Sequence, residues 1–128
     1  MSSAPKPRPK YYEFNLLHHW PPAVLSIFHR ISGLLLFFPL LPLVLYGMQG
    51  SLGSEAGYAQ WRDCLGQPIS KLVIFAVAWI YAHHFFAGIR YLLLDLHVGP
   101  SKAAARASAL AVFALGAAAA ALIAWGLL

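Results

Sequence analysis

Three stretches of this chain are so long and so apolar that they fix its class before any other feature is considered. The first runs from about Ala23 to Met48, the second from about Ile69 to Leu96, and the third from about Arg106 to Leu128. About 20 mainly apolar residues are enough to cross the roughly 30 Å of hydrocarbon in a bilayer. A soluble three-helix bundle would show a polar face on each helix. None of these stretches has one, and beyond Arg106 the third carries no charged residue. Inside lipid the backbone must satisfy its own hydrogen bonds, which for segments of this length means helices. The expected fold class is an all-α integral membrane protein with three transmembrane helices in an up-down-up bundle.

Composition agrees, with hydrophobic residues at 60% and charged residues at 10% of the chain, far from the balance of a soluble domain. Lys and Arg number nine against four acidic residues, but they lie scattered near span ends without a patch of interleaved surface aromatics, so nucleic acid is excluded as a partner. Cys64 stands alone and can form neither an internal disulfide nor a cysteine metal site. Met1 to Trp20 contains Lys6, Arg8, Lys10, Glu13 and three prolines, without the apolar core of a secretion signal.

Positive residues bias orientation toward the cytoplasm. Lys6, Arg8, Lys10, Lys102 and Arg106 then define a cytoplasmic N-terminal segment at 1–22, an outer loop at 49–68 and a cytoplasmic loop at 97–105, with Lys71 as an exception. The expected location is the bacterial inner (plasma) membrane, in preference to the mitochondrial inner membrane. Pro39 and Pro42 fall inside the first span, where each removes a backbone donor, and a bend is expected there. The Ala- and Gly-rich third span permits close helix approach, or serves as a filler helix at a lipid-facing edge. Tyr11, Tyr12, His18, His19 and Trp20 read as a headgroup belt, in a segment that could also lie beneath a soluble partner.

Two polar clusters interrupt the apolar spans, at 26–33 and 83–95. Ionisable groups cost a few kcal/mol or more in a bilayer and face a partner, a cavity or a cofactor. His84, Gly88, Tyr91 and Asp95 are spaced by four, three and four residues and share one helical stripe. A neutral imidazole there can ligate haem iron, and a glycine one turn away leaves room for a flat macrocycle. The competing reading makes His84 a packed polar residue bonded to a neighbouring helix. His83 points about 100° away, and His84 is preferred. A haem that transfers electrons wants a second axial ligand, which is expected from another chain; His29 is better placed for a propionate.

On the first span, Ser26, His29, Arg30 and Gly33 follow the i, i+3, i+4, i+7 pattern. Arg30 lies about 12 Å along the helix from Pro22. It reads either as an anchor for a propionate or quinone oxygen, or as a side chain snorkelling to the headgroups. Asp95 reads either as part of a polar mouth above the buried ligand or as a carboxylate at the end of its helix.

Arg8-Pro9, the run Ser-Ile-Phe-His-Arg-Ile-Ser-Gly at 26–33, and His84-x-x-x-Gly88-Ile-Arg-x-x-x-x-Asp95 together resemble the cytochrome b membrane-anchor subunit of succinate dehydrogenase, respiratory complex II. The resemblance covers the N-terminal segment and the first two spans, and the third matches only as a hydrophobic helix. It implies that His84 is an axial ligand of a haem b whose other ligand comes from a second membrane-anchor subunit that completes the bundle. It implies further that His29 and Arg30 contact the haem propionates, and that Ser26, Arg30 and Asp95 form or adjoin a ubiquinone site, with Trp20 nearby. The implied partners are a flavoprotein subunit and an iron–sulfur subunit that hold the flavin and clusters, so this chain is a subunit of an oxidoreductase outside its catalytic core. Many members carry His where this chain has Tyr91. The alternatives are a haem-less structural anchor, the anchor of a fumarate reductase running in reverse, and a small transporter or channel subunit with a buried proton relay, for which the spans offer no paired half-helices.

Overall fold

The computed structural model of the chain describes residues 20–127. The expectations for the N-terminal segment that rest on Lys6, Arg8, Lys10, Tyr11, Tyr12, His18 and His19 concern residues outside this range. The described residues form helices and turns without a strand, and three helical stretches are long and apolar enough to cross a membrane: Pro22–Leu52, Pro68–Asp95 and Lys102–Gly126.

The first stretch is composite. α1 (Pro22–Leu35) opens on a proline, whose missing N–H costs nothing in a first turn. It passes into a π-helical turn at Leu36–Leu40 that contains Pro39, and continues as α2 (Leu41–Leu52). Pro39 cannot donate to the carbonyl one turn back, and the wide turn is the local answer, with the Leu41 N–H bonding to the Leu36 carbonyl. The irregularity near the two prolines is therefore a π turn.

The following segment is largely helical. α3 (Glu55–Leu65) begins at Ser54, whose Oγ accepts the Gly57 N–H at 3.0 Å. It folds back on the end of α2 through glycines. A Cβ on Gly50 would collide with the Trp61 indole, and one on Gly57 with the Gly50 carbonyl. Trp61 also meets Tyr46 edge to face at 5.9 Å.

α4 (Pro68–Asp95) and α5 (Lys102–Leu127) complete the chain. They pair antiparallel: going up α4 from His83 to Arg90, the partners on α5 descend from Phe113 to Ser108 and Ala105. α1 and α4 are antiparallel as well, since His29 meets Tyr91 while Ser32 meets His84. The turn between α4 and α5 closes with the Val98 N–H on the Leu93 carbonyl and the His97 N–H on the Leu94 carbonyl, both at 2.9 Å, around His97 at φ 61°. This is a Schellman closure with a non-glycine residue at the left-handed position. Ser101 Oγ then accepts the Ala104 N–H at 3.2 Å and starts α5.

The core is small and built around alanine. Leu25, Ala87, Ala109 and Val112 are buried together, with Phe86, Tyr91 and Phe113 packed against them. Large apolar side chains face outward instead, including Phe37, Phe38, Leu122 and Trp125, the last 83% exposed. In water such a surface would be untenable, and in lipid it is the expected one.

Candidate functional site

The site forms where α1 crosses α4. His84 Nδ1 lies 3.0 Å from Ser32 Oγ and 3.1 Å from the His29 carbonyl oxygen. Ser32 is buried, and its hydroxyl donates to the same His29 carbonyl at 2.9 Å. A carbonyl oxygen can only accept, so Nδ1 carries the proton and the Nε2 lone pair is left available. This is the arrangement a metal-ligating imidazole needs, with one nitrogen oriented by a carbonyl and the other turned to the metal.

Both rings come close because glycine receives each of them. A Cβ on Gly33 would lie 2.9 Å from His84 Cε1, and one on Gly88 would meet His29 Nε2 at 3.8 Å. The two imidazoles stack at 4.3 Å with an interplanar angle of 17°. Tyr91 leans over His29 at 5.1 Å, and its buried hydroxyl has no hydrogen-bond partner among the described residues. The face thus offers one imidazole lone pair, a second imidazole and an unused hydroxyl donor. That donor set fits one side of a b-type haem: an axial ligand of fixed tautomer, and polar groups for a carboxylate. Among the described residues no three His, Cys, Asp or Glu gather around a common point, so any iron held here takes its remaining ligands from elsewhere.

The other sequence-derived residues are placed differently. Ser26 is half-buried, while Arg30 and Asp95 are exposed. Among the described residues no hydrogen bond or ion pair joins these three. Arg30 therefore departs from His29, which packs on α4, and presents its guanidinium outward. Trp20 stacks on Phe113 of α5 at 5.6 Å, on the side of the molecule that holds His83.

His83 is 1% exposed and boxed by three aromatic rings. Trp79 stacks on it at 5.5 Å, Phe113 tilts at 5.3 Å and Phe28 meets it edge-on at 6.0 Å. Neither ring nitrogen has a hydrogen-bond partner among the described residues. Arg90 is a fastener between α4 and α5, donating from Nε to Ser108 Oγ at 2.9 Å and from Nη2 to the Ala105 carbonyl at 3.1 Å. The contribution of Ser32 was missed by sequence reasoning, although it follows His29 by three residues and so shares its face.

Residues 4–123 match the family model described as succinate dehydrogenase/fumarate reductase transmembrane subunit. The chain belongs to this family. Within it, the chain is 36% identical over 107 residues to the succinate dehydrogenase cytochrome b556 subunit of Coxiella burnetii (strain RSA 493 / Nine Mile phase I), covering 83% of this chain and 85% of that protein. It is 31% identical over 77 residues to the succinate dehydrogenase cytochrome b556 subunit of Rickettsia felis (strain ATCC VR-1525 / URRWXCal2), covering 60% of this chain and 58% of that one. The succinate dehydrogenase cytochrome b anchor resemblance read from the motifs is thereby established at the level of the family, together with the all-helical membrane fold. As a succinate dehydrogenase membrane subunit the chain works within a bilayer and alongside other subunits.

Proposed function

We propose that this chain is the haem b- and quinone-binding anchor of a succinate:quinone oxidoreductase and helps pass electrons from the iron–sulfur subunit to ubiquinone. The observation that carries the reading is the Nδ1 network of His84, which fixes a single tautomer and leaves Nε2 for iron. His84 would hold the haem iron from this chain, and a second membrane-anchor subunit would supply the other protein ligand. His29, packed beside His84, and the exposed Arg30 would contact the haem propionates. A bound haem b supplies a one-electron carrier within the span.

Ser26 and Arg30 bind the quinone, with Asp95 holding a proton near the same end of the bundle. A carbonyl oxygen that gains negative charge on reduction is stabilised by donors already aimed at it, and an exposed guanidinium without a partner among the described residues can serve. Flavin and iron–sulfur clusters belong to the flavoprotein and iron–sulfur subunits. Residues 1–22 and 97–105 face the cytoplasm of a bacterial inner membrane and 49–68 faces outward, which places Ser26 and Asp95 at the cytoplasmic end.

The test is a reduced-minus-oxidised spectrum of the purified complex. A b-type absorbance that His84→Ala abolishes supports the ligand role, and an unchanged spectrum refutes it. Arg30→Ala should impair quinone reduction while succinate oxidation by an artificial acceptor survives; equal loss of both rules out a quinone role.

A second reading, a haem-less structural anchor, draws on one observation. The His29 and His84 rings already touch at 4.3 Å and tie α1 to α4 without any added group. A complex with no colour beyond flavin and clusters would favour it. The same residues serve a fumarate reductase, and comparing succinate oxidation with fumarate reduction rates separates the two.

A further inference from the structure

Arg90 is 7% exposed and lies in a segment that spans the membrane, yet among the described residues no carboxylate pairs with it. Both of its bonds go to neutral acceptors, the Ser108 hydroxyl and the Ala105 carbonyl, and the Tyr91 ring lies 5.3 Å from its Cζ. Nη1 takes part in neither bond. A buried charge is ordinarily paired, because an uncompensated one carries a desolvation penalty of several kcal/mol.

The same arginine lines a groove of about 290 Å³ between α4 and α5. Ser108 is the other polar side chain beside it, and the walls are apolar, formed by residues such as Phe86, Leu93, Ala111 and Leu115. Ala105, which receives the guanidinium, is about 4.5 Å along α5 from its first residue. Lys102 and Arg106 are exposed on that same end of α5, near the groove though outside its lining, and the acidic Asp95 is outside the lining as well. The groove thus combines an apolar trough in the bilayer with positive charge where the trough approaches the membrane surface.

We propose that this groove is a binding site for an anionic phospholipid, with an acyl chain along the trough and the phosphate on the open side of Arg90, supported by Lys102 and Arg106. The lipid completes the charge balance of Arg90 and covers an apolar face that α4 and α5 leave open. This site is separate from the His29–His84 face and does not depend on haem or quinone.

The experiment uses the complex purified in a neutral detergent, washed free of bulk lipid and exposed to mixed micelles of phosphatidylglycerol or phosphatidylcholine. Bound lipid is counted by native mass spectrometry. The native complex should retain phosphatidylglycerol in preference to phosphatidylcholine. Arg90→Gln should weaken that retention about tenfold or more, the loss expected when a charge-assisted bond is removed. Because Arg90→Gln also loosens the α4–α5 fastening, Ala111→Trp provides an independent arm: it fills the trough, leaves both Arg90 bonds intact, and should displace the lipid equally. Equal retention of the two lipids, or phosphatidylglycerol retention unchanged by Ala111→Trp, overturns the proposal. Efficient cross-linking of Ala111→Cys to a partner subunit also overturns it, since a protein helix would then occupy the groove.

Discussion

His29 and His84 are related by a reciprocal exchange: each ring rests against the glycine that follows the other by four residues. His29-x-x-x-Gly33 on α1 and His84-x-x-x-Gly88 on α4 run antiparallel, so the two sequences interlock like a pair of hooks. The interlock is asymmetric. A Cβ at position 33 would sit 2.9 Å from a ring carbon, while one at position 88 would make an ordinary contact at 3.8 Å.

That asymmetry predicts different costs for one methyl group. Gly33→Ala should destabilise the complex by about 1–3 kcal/mol through overpacking and perturb the b-type spectrum by displacing His84. Gly88→Ala should be near neutral, because its contact is tolerable and alanine is the better helix former by about 1 kcal/mol. Thermal unfolding in detergent, followed alongside the haem-to-protein ratio, distinguishes the two.

On the proposed role of His84 as a haem ligand, Ser32→Ala should leave the fold intact and weaken haem binding. The His84 Nδ1–H would keep the His29 carbonyl and lose Ser32, and loss of such an outer partner typically costs about 10–100-fold in metal affinity. Haem retained after extended dialysis of the purified complex measures this, and full retention would remove Ser32 from the site.

The spans were legible in the sequence because length and hydropathy suffice to define them, and the His84 stripe because helical period suffices to align Gly88, Tyr91 and Asp95. Which helix each stripe meets is a tertiary fact. Gly88, read from the spacing as room for a macrocycle, also faces the His29 ring, and Arg30, one residue from His29, is exposed. The π turn at Pro39 and the helix at Glu55–Leu65 also escaped, the first because proline announces a break without its form, the second because four of the ten glycines, Gly50, Gly53, Gly57 and Gly66, lie in or beside that segment and pointed to a loop.

His83→Phe should stabilise the protein. Two desolvated nitrogens without partners would be replaced by a ring of similar shape among Phe28, Trp79 and Phe113, relieving about 1–3 kcal/mol. The b-type spectrum should stay the same, since His84 turns to Ser32 and His29 and away from the box of Phe28, Trp79 and Phe113. A rise in the unfolding midpoint with an unchanged spectrum is the expected pair of readouts, and a fall in the midpoint would show that His83 has a bonding partner in the assembled complex.

His97→Gly should also stabilise, by about 0.5–1 kcal/mol, because His97 holds φ 61°, where a Cβ is unfavourable and glycine is not. The change leaves the two backbone bonds of the α4–α5 turn in place. Unfolding midpoints of the two forms, compared in the same detergent, check it.

The π turn at Leu36–Leu40 sets the phase of everything beyond it. One extra residue per turn shifts the register of α2 against α1 by about 100°, the angle one helical residue subtends. Gly47 and Gly50, which receive Trp61, therefore occupy their side of α2 only because this turn is wide rather than α-helical. Deleting a single apolar residue from this turn would let it close as an ordinary α turn with both helices on their present faces, whereas the same deletion elsewhere in the first span would rotate the α3 docking face by about 100°, so the wide turn is where this span absorbs an indel most readily.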